Sequence, residues 1–521
     1  MTADVPLGAN PPTELRSRPR LLVFVVAYNA ESTIENVLGR IPATLLEDYD
    51  VETLVIDDSS QDETFERSET LRRAQTLAFP LHVLFNPLNQ GYGGNQKIGF
   101  QFAIREGFDY VALLHGDGQY APECLPELVQ PLRDGLADAV FGSRMLTKGA
   151  ARRGGMPLYK FVGNRILSRS QNALLRARLS EFHSGYRAYS TRALRGIPFN
   201  LNTNDFHFDT EIIIQLLYAG ERIREIPIPT YYGDEICRVN GLKYASDVMR
   251  STLKARVQEL GLLYERKFDV EPASAENAPY RLKLGYESPH TLVLKHVAPA
   301  SRVLDLGCAG GWVGTELRRR GCHVIGVDVV PLESGVVLDE FHLHDLNDGL
   351  PAVDFANLDY VLLLDALEQL QRPERFAEEL YAALSLNPRT KVIVSIGNIG
   401  FGMTRMLLLA GQFNYGKRGI LDQTHTRLFT FSALRRLLEG AGFRIVDLRG
   451  IPAPFPLALG DSATSRTLTS LNSRGARLWK RFFAYQIYAI AQPRPSLDLL
   501  LRDAYSHSAT RADAMMQGPD A

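Results

Sequence analysis

Carboxylate side chains follow two strand-like runs in the first half of the chain. Asp57 and Asp58 lie at the end of one run, in LVIDDSS, and Asp117 and Gln119 lie at the end of another, in LLHGDGQY. The carboxyl ends of parallel strands meet at one edge of a sheet, where α/β proteins bind nucleotides. Carboxylate and amide oxygens there can hold Mg²⁺ or Mn²⁺ and accept hydrogen bonds from a base or a ribose. The pattern predicts a site for a charged nucleotide-linked molecule with a metal ion, and a plain Asp–Ser turn is the alternative for Asp57 and Asp58.

A different signature stands in the second half. The run VLDLGCAGG places Asp305 inside a strand and Gly307 and Gly311 in the turn that opens a helix, and Asp328 ends the next strand, VIGVD. Glycine lets a backbone approach a ligand closely, and a carboxylate one strand later can bind both hydroxyls of a ribose. The pattern predicts an adenosine-type cofactor without a metal, and a dinucleotide fingerprint is the alternative.

Size and composition limit the class of protein. The chain has 521 residues, which is too long for one ordinary core, and its 58 Lys and Arg against 59 Asp and Glu give no global field for nucleic acid. Its four cysteines include no C-x-x-C pair, which is typical of a reduced, cytoplasmic protein. No run reaches the length needed to span a bilayer, so we expect any membrane contact to be peripheral, at the cytoplasmic face.

Elements that could position these residues alternate in both halves. Short β-rich runs such as LLVFVVA and LHVLF are separated by amphipathic segments, which predicts α/β domains with largely parallel, doubly wound sheets. Composition sets the expected boundaries, which are a flexible tail over 1–19, a first domain over 20–236, a helical extension and linker over 237–279, a second domain over 280–492 and a tail over 493–521.

The first half resembles a known family over about residues 20–234. VVAYNAESTI, VIDDSSQDET, NQGYGGNQKIG, HGDGQY, FGSRM, SGYRAYS and EIPIPTYYG are similar to family 2 glycosyltransferases of the dolichol- or polyprenyl-phosphate sugar synthase type. The resemblance implies a glycosyltransferase-A fold. It also implies inverting transfer from a nucleotide sugar to a lipid-phosphate or glycan acceptor.

Residue roles follow from the resemblance. It makes Asp57 and Asp58 donor contacts, Asp117 and Gln119 metal contacts, and Arg144 and Arg187 phosphate contacts. Gly91 and Gly94 are expected to shape the backbone near the donor, with a bare turn as the alternative. His115 stands where the family usually has Asp, and both metal ligation and a packed side chain remain open for it.

A base is needed only if the acceptor is a sugar hydroxyl. The segment NDFHFDTEI then offers Asp205, Asp209 and Glu211, with Asp209 as the catalytic candidate and helix capping as the alternative. The basic segment 148–171, with apolar residues interleaved, fits either a solvated helix face or an anionic partner, namely a lipid phosphate or a membrane surface.

The second half resembles class I S-adenosylmethionine-dependent methyltransferases over about residues 280–492. An Asp inside the strand is typical of S-adenosylmethionine sites. The resemblance places Asp305, Gly307, Gly311, Asp328 and Asp345 around the cofactor. Ala309 replaces the middle glycine, and Gln369 stands where relatives often have His.

A polar segment marks the methyl-acceptor side. GQFNYGKRGILDQTHTRLFT offers Asp422, His425 and Arg427, with a buried loop anchor as the alternative. The two halves together predict a bifunctional enzyme of cell-surface glycan synthesis with a Rossmann-like second domain. Two rivals are a transferase whose second half binds the cofactor without turnover, and an interaction protein that has lost transfer.

Overall fold

The computed structural model describes residues 18–229, 240–259, 263–270, 285–417, 419–456, 462–497, 499–502, 504–505 and 507–508. The chain forms two compact units, Met1–Arg256 with Glu265–Glu276 and Val257–Tyr264 with Asn277–Ala521. Two α/β domains are therefore confirmed. The expected linker over 271–279 and nearly all of the expected N-terminal tail lie outside the described residues.

The first unit alternates strands and helices, as its sequence pattern predicts. Its elements are β1 Arg20–Ala27, α1 Ile34–Gly39, α2 Leu45–Asp48, β2 Asp50–Asp57, α3 Thr64–Ala74, β3 Leu81–Phe85, α4 Gly91–Arg105, β4 Tyr110–His115, α5 Leu125–Arg133, β5 Ala139–Ser143, α6 Ala150–Arg153, α7 Leu158–Leu175, β6 Arg187–Ser190, α8 Thr191–Arg195, α9 Phe208–Tyr218, β7 Ile223–Pro227 and α10 Gly241–Glu259.

The first sheet is largely parallel, in the order β3-β2-β1-β4-β6-β5-β7, with β6 antiparallel to both of its neighbours. Its interior strand β1 is apolar on both faces because each face packs in a buried core. Leu21, Val23 and Val25 pack in one core, and Leu22 and Phe24 pack in the other. The order places the ends of β1, β2 and β4 side by side, so Asp57 and His115 end strands that flank β1.

Strand β7 closes the edge of this sheet, and most of α10 and the segment around Lys267, which follow the predicted boundary at 236, still belong to this unit. The edge strand β7 ends at Pro227, and an edge is where a sheet tolerates proline. The helix α10, which the sequence pattern assigns to a separate extension, contributes Ala255 to the same core as α9. Lys267, beyond that helix, accepts a hydrogen bond from Gln215 of α9 at 2.8 Å through its carbonyl oxygen.

The second unit repeats the alternation and ends in an antiparallel pair of strands. Its elements are α11 Pro289–His296, β8 Arg302–Leu306, α12 Trp312–Arg318, β9 His323–Asp328, β10 Glu340–Leu343, β11 Tyr360–Leu364, α13 Pro373–Leu384, β12 Lys391–Gly397, α14 Gly402–Leu409, α15 Phe431–Gly440, β13 Phe443–Ile451, α16 Ala463–Leu478, α17 Lys480–Phe483 and β14 Gln486–Pro493.

The second sheet has the order β10-β9-β8-β11-β12-β14-β13, and β14 runs antiparallel to both β12 and β13. The reversal brings the start of β14 and the end of β13 to the carboxyl edge of the parallel strands, because Gln486 pairs with both Gly397 and Ile451. Within the described part of the chain, no helix combines the length and apolar character that a bilayer crossing requires.

Candidate active sites

Asp57 ends β2 with its side chain buried. Its Oδ1 accepts a hydrogen bond from Ser60 N at 2.8 Å, which is the expected turn. Its Oδ2 is buried, and no described residue donates to it. Burial raises the pKa of Asp57, although the hydrogen bonds from Ser60 oppose the shift. A buried carboxylate oxygen without a donor is costly, so a donor from a ligand would stabilise it.

Asp58 organises the loop that begins α4. Its carboxylate accepts hydrogen bonds from Asn86 Nδ2 at 2.8 Å, Gln90 N at 2.8 Å and Gly91 N at 2.9 Å. Its acceptor capacity is thus largely taken by the chain itself. The structure gives Asp58 a role in shaping the site, and a direct contact with the donor stays a prediction.

The glycines of the α4 loop meet the chain's own backbone. Gly91 has a φ of +78°, and a Cβ there would lie 2.7 Å from Asn204 O. A Cβ on Gly94 would lie 2.8 Å from the Gln90 Cβ. The close approach of the Asn204 carbonyl therefore explains Gly91, the Gln90 side chain explains Gly94, and the place of both glycines near a donor stays a prediction.

The expected metal residues lie just beyond β4. Asp117 is exposed, and its Oδ1 accepts from Gln119 N at 3.0 Å in a tight turn. His115 is packed between Tyr92 and Tyr120, with ring centroids 5.8 and 5.0 Å away. Its Nε2 is buried against Gly185 and has no hydrogen-bond partner among the residues that the structure describes. Burial lowers the pKa of His115, which favours the neutral imidazole, and metal ligation by this side chain stays a prediction.

Arg144 follows β5 and is held by a buried carboxylate. Its backbone N donates to Glu181 Oε2 at 2.8 Å, its guanidinium forms an ion pair with Glu181 Oε1, and its Nη2 donates to His183 O at 3.1 Å. Burial alone would raise the pKa of Glu181, but Arg144 and Asn164 outweigh it and hold that pKa below its usual range. The pair fixes the direction of Arg144 while its side chain keeps some exposure.

Glu181→Gln is expected to lower the free energy of unfolding by about 2 kcal/mol, because charge-assisted hydrogen bonds to Arg144 become neutral ones. The pKa of Glu181 is lowered, so its stabilisation is present above the unfolded pKa and is lost as the pH falls. Urea unfolding at pH 7 and pH 4 measures both effects, and the exposed Glu106→Gln is the control. An unchanged midpoint at pH 7 would contradict the assignment.

Arg187 corrects the sequence-based expectation of a phosphate contact. The side chain is 1% exposed, and it donates to the carbonyl oxygens of Ser184, Phe182 and Asp209 at 2.7, 2.9 and 3.2 Å. Its Nη1 also lies 3.5 Å from Asp209 Oδ1. A guanidinium whose donors are used inside the core does not reach a bound phosphate, and Arg187 instead positions Asp209 and the chain around it.

The three carboxylates offered as bases have other partners. Asp209 is buried in the first turn of α9, and its Oδ2 accepts from Tyr92 Oη at 2.8 Å. Burial raises the pKa of Asp209, although Arg187 opposes the shift. Glu211 is buried beside the Lys267 ammonium at 2.6 Å, and Asp205 pairs with Lys243 at 2.8 Å. Both are engaged in ion pairs, and a catalytic role for Asp209 stays a prediction.

In the second unit Asp305 is a buried acid on β8. Its Oδ1 is buried without a hydrogen bond from any described residue. Burial, with the nearby carboxylate of Asp328, raises the pKa of Asp305 to about 7. Asp328 ends β9, and its Oδ2 accepts from Ala309 N at 2.7 Å in the glycine turn. The two carboxylates therefore flank this turn at the carboxyl edge of the sheet.

The turn itself needs left-handed backbone. Gly307, Ala309 and Gly311 have φ values of +80°, +48° and +81°. A Cβ on Gly307 would lie 2.7 Å from the Cβ of Ala366, so no larger residue fits there. Asp345, beyond β10, is exposed and accepts from Asn347 N at 2.8 Å. Because β10, β9 and β8 are neighbours, the three carboxylates follow one edge in strand order.

The methyl-acceptor segment meets the sheet beside β11. His425 Nδ1 lies 3.1 Å from Ile420 O, and because a carbonyl oxygen only accepts, Nδ1 carries the hydrogen. Its Nε2 is thus the free acceptor, 3.9 Å from Glu368 Oε1. Asp422 closes a local turn, with Oδ1 accepting from Thr424 N at 2.9 Å. Arg427 contacts Glu368 through its backbone, because its N donates to Glu368 O at 3.1 Å. Its side chain is exposed.

Sequence reasoning missed Glu368 and Asp365. Glu368 is buried, and burial followed by Asp365 raises its pKa well above the usual range. Asp365 accepts from Ser395 Oγ at 2.9 Å and from Gln486 Nε2 at 2.9 Å. The run LLLDALEQL carries both acids, whereas the residue singled out in it, Gln369, is exposed.

Comparisons with known proteins find a match for each half of the chain. Residues 22–197 match glycosyl transferase family 2, and residues 274–448 match a methyltransferase domain. The undecaprenyl-phosphate mannosyltransferase of Micrococcus luteus is 30% identical over 210 residues, which are 40% of this chain and 82% of that protein. The polyprenol monophosphomannose synthase of Mycolicibacterium smegmatis is 27% identical over 220 residues, which are 42% of this chain and 79% of that protein.

Among solved structures, glucosyl-3-phosphoglycerate synthase from Mycobacterium tuberculosis is 20% identical, with a TM-score of 0.35 over 45% of this chain and 79% of that one. The alternation of strands and helices and the matches in sequence support one conclusion. The chain is an enzyme that belongs to glycosyl transferase family 2 and carries a methyltransferase domain in its second half.

Proposed function

We propose that the chain transfers a sugar from a nucleotide sugar to a polyprenyl-phosphate or glycan acceptor, and methylates a sugar or related small acceptor with S-adenosylmethionine. The observation that carries the proposal is a buried carboxylate oxygen on a strand of each sheet, Asp57 Oδ2 on β2 and Asp305 Oδ1 on β8, to which no described residue donates. Both strands run to the carboxyl edge of their sheets, where a ligand can supply the missing donors. The names of the relatives in Micrococcus luteus and Mycolicibacterium smegmatis support a lipid phosphate as the first acceptor and a mannosyl donor.

Asp117 and Gln119 are the proposed holders of Mg²⁺ or Mn²⁺. The fit depends on Asp117, which is exposed and uses one oxygen in its turn, so the other can face a cation. A bound divalent ion supplies positive charge beside the diphosphate that leaves with the nucleotide. Asp57 would accept from the nucleotide, and Arg144, held by Glu181, is the cation placed to approach the phosphates.

No protein base is required if the acceptor is a lipid phosphate, because the phosphate oxygen is itself the nucleophile. The buried Asp209 then serves to hold Tyr92 Oη at 2.8 Å and to balance Arg187. A glycan hydroxyl would need a base, and a carboxyl whose pKa is raised by burial is suited to accept a proton near neutral pH. The acceptor therefore decides whether Asp209 is a positioning or a catalytic residue.

The surface of α7 supports delivery of a lipid acceptor. Leu158, Tyr159 and Ile166 are 61%, 73% and 58% exposed, and Lys160 and Arg165 lie on the same helix. Exposed apolar side chains beside cations suit an anionic membrane surface, at which the helix would lie peripherally. This contact is part of the proposal.

The second unit fits S-adenosylmethionine. Asp305 offers a buried acceptor near the positively charged amino group, and Asp328 and Asp345 follow in strand order for the ribose and adenine. The cofactor supplies an activated methyl group. The chain's contribution is alignment of the acceptor, and His425 Nε2 is the acceptor atom that could take its proton.

His425→Asn is expected to lower kcat of methyl transfer about 10²-fold without changing S-adenosylmethionine affinity, because the proton acceptor is lost and the cofactor contacts remain. The partly exposed His323→Asn on the far end of β9 is the control. Single-turnover methyl transfer and calorimetric titration separate the two effects. If the variant also loses cofactor affinity, His425 has a structural role in its loop and is not the proton acceptor.

The proposal as a whole is tested on the full chain. Nucleotide-linked sugars, beginning with mannose, are offered with polyprenyl phosphate and Mn²⁺, and labelled lipid is extracted. Labelled S-adenosylmethionine is then added with the sugar product. Transfer to lipid followed by methyl incorporation supports both activities, whereas cofactor binding without methyl incorporation favours a scaffold. Absence of sugar transfer with every donor and acceptor would remove the first activity.

A further inference from the structure

A basic cleft lies beside the methyltransferase site. It has a volume of about 740 Å³, and its charged lining consists of Lys295 on α11, Arg449 on β13, Arg477 on α16, Lys480 on α17 and a single carboxylate, Glu287. A volume of this size accommodates a small-molecule ligand with a sugar and a phosphate. The basic cleft does not include any of the residues that flank the glycine turn.

The cations in the basic cleft are poorly neutralised. Arg449 is paired with Asp447 at 2.6 Å, but Lys295 and Arg477 are exposed and form no ion pair with a described residue. Lys480 donates to Leu448 O at 2.6 Å and is partly buried. Burial, with Arg435 and Arg481 nearby, lowers the pKa of Lys480. Like charges gathered in one cleft repel each other, and a bound anion relieves that repulsion.

The wall of the basic cleft continues into residues at the carboxyl edge of the second sheet. Gly450, in its wall, is followed by Ile451, which pairs with Gln486, and the Gln486 side chain donates to Asp365 at 2.9 Å. Tyr286, another lining residue, lies close enough to Tyr485 to raise its pKa, after burial and Asp365. A ligand in the cleft would therefore extend toward the residues around Glu368 and His425.

The surrounding chain is basic and carries exposed apolar side chains. From Ser462 to Ser496 there is no acidic residue, and the cations there are Arg466, Arg474, Arg477, Lys480, Arg481 and Arg494. Leu478 and Trp479, which separate two of the cleft's cations, are 90% and 54% exposed. Such a rim suits a phosphate attached to a lipid as well as a free one.

We propose that the basic cleft binds the phosphate or diphosphate group of the methyl acceptor, so that the acceptor is a phosphorylated sugar, either free or lipid-linked. This inference rests on the proposed methyltransferase function and names its substrate class. The phosphate would contact Lys295, Arg477 and Lys480, and the sugar would extend toward His425.

The test uses the full chain and a local readout. Lysine acylation is followed by peptide mass spectrometry at Lys295 and Lys480, with Lys391 as an exposed control in the same unit. The two probes are inorganic pyrophosphate and polyprenyl phosphate in neutral phosphatidylcholine vesicles. Protection of Lys295 and Lys480 by either probe, with Lys391 unchanged, supports the proposal. Protection by pyrophosphate alone indicates a free phosphate, and protection by the vesicles alone indicates a lipid-borne one.

A matched pair of charge reversals sharpens the result. Arg477→Glu is expected to raise the probe concentration that half-protects Lys295 about tenfold, since a charge-assisted contact becomes repulsive. Arg474→Glu, exposed on the same helix but outside the cleft, should leave it unchanged. No protection with either probe, equal protection of Lys391, or equal weakening by both reversals would overturn the proposal.

Calorimetry with S-adenosylmethionine on the same variants separates this inference from the proposed function. If the chain binds the cofactor and transfers methyl groups but Lys295 is not protected, phosphate binding in the basic cleft is contradicted and the methyltransferase function stands. Absence of cofactor binding in the parent chain would instead contradict the methyltransferase function, on which the substrate class rests.

Discussion

Asp117→Asn should lower kcat/KM for sugar transfer about 10³-fold, the loss expected when a carboxylate that holds a catalytic metal becomes an amide. The substitution is conservative in the fold, because asparagine can accept the hydrogen bond from Gln119 N that the Asp117 carboxylate accepts at 3.0 Å. It removes the negative charge that a hard divalent ion prefers. We therefore expect unchanged thermal stability together with a higher Mn²⁺ requirement.

Initial rates at varied Mn²⁺ and Mg²⁺ measure the effect. Asp134→Asn, an exposed acid at the end of α5, is the matched control and should keep the parent rate. Full activity of Asp117→Asn at the parent's metal concentration would show that Asp117 does not hold the metal ion. If the parent chain transfers sugar equally well in the presence of a chelator, the reaction does not require a metal ion.

Local patterns made most of the strands predictable. LHVLF coincides with β3, and the apolar run LLVFVVA lies within β1, because burial on both faces requires an uninterrupted apolar run. The directions of β6 and β14 were beyond such patterns. Tyr189 opposes both Val111 and Ala139, and Gln486 opposes both Gly397 and Ile451, so each direction depends on partners far along the chain.

The site was predictable where chemistry depends on position at a strand end, and less so where it depends on burial. Asp57 and Asp305 follow or occupy strands that the sequence marks, so their place at the sheet edge could be predicted. Arg187 and Arg144 have the same side chain, yet one donates only within the core and the other keeps some exposure, which sequence spacing does not encode. Glu368 was not predicted for the same reason. Its raised pKa arises from burial beside Asp365, which the sequence does not show.

Asp305→Asn should have opposite effects on cofactor binding and on stability. We expect S-adenosylmethionine affinity to fall about 10³-fold, since the amide cannot pair with the ligand's positive charge. The free chain should become more stable at pH 8, because the substitution removes a buried charge whose Oδ1 has no donor among the described residues. A residue needed only for folding would not show both changes.

The pH dependence follows from the pKa of Asp305, which burial and Asp328 raise from 3.8 to about 7. Well below the unfolded pKa of 3.8, Asp305 is protonated in both the folded and the unfolded chain, so its full contribution to stability is present. As the pH rises to 7 the unfolded chain loses its proton first, and up to about 4 kcal/mol is lost. The asparagine variant should lack that decline.

Urea unfolding at pH 5 and pH 8, with and without S-adenosylmethionine, measures both effects in one series. Asp348→Asn, exposed beyond β10, is the control and should retain the parent's pH dependence and affinity. Saturating cofactor should stabilise the parent at pH 8 and have little effect on Asp305→Asn. Equal stabilisation of the two chains by the cofactor would show that the Asp305 carboxylate does not bind the ligand. Other residues would then hold it.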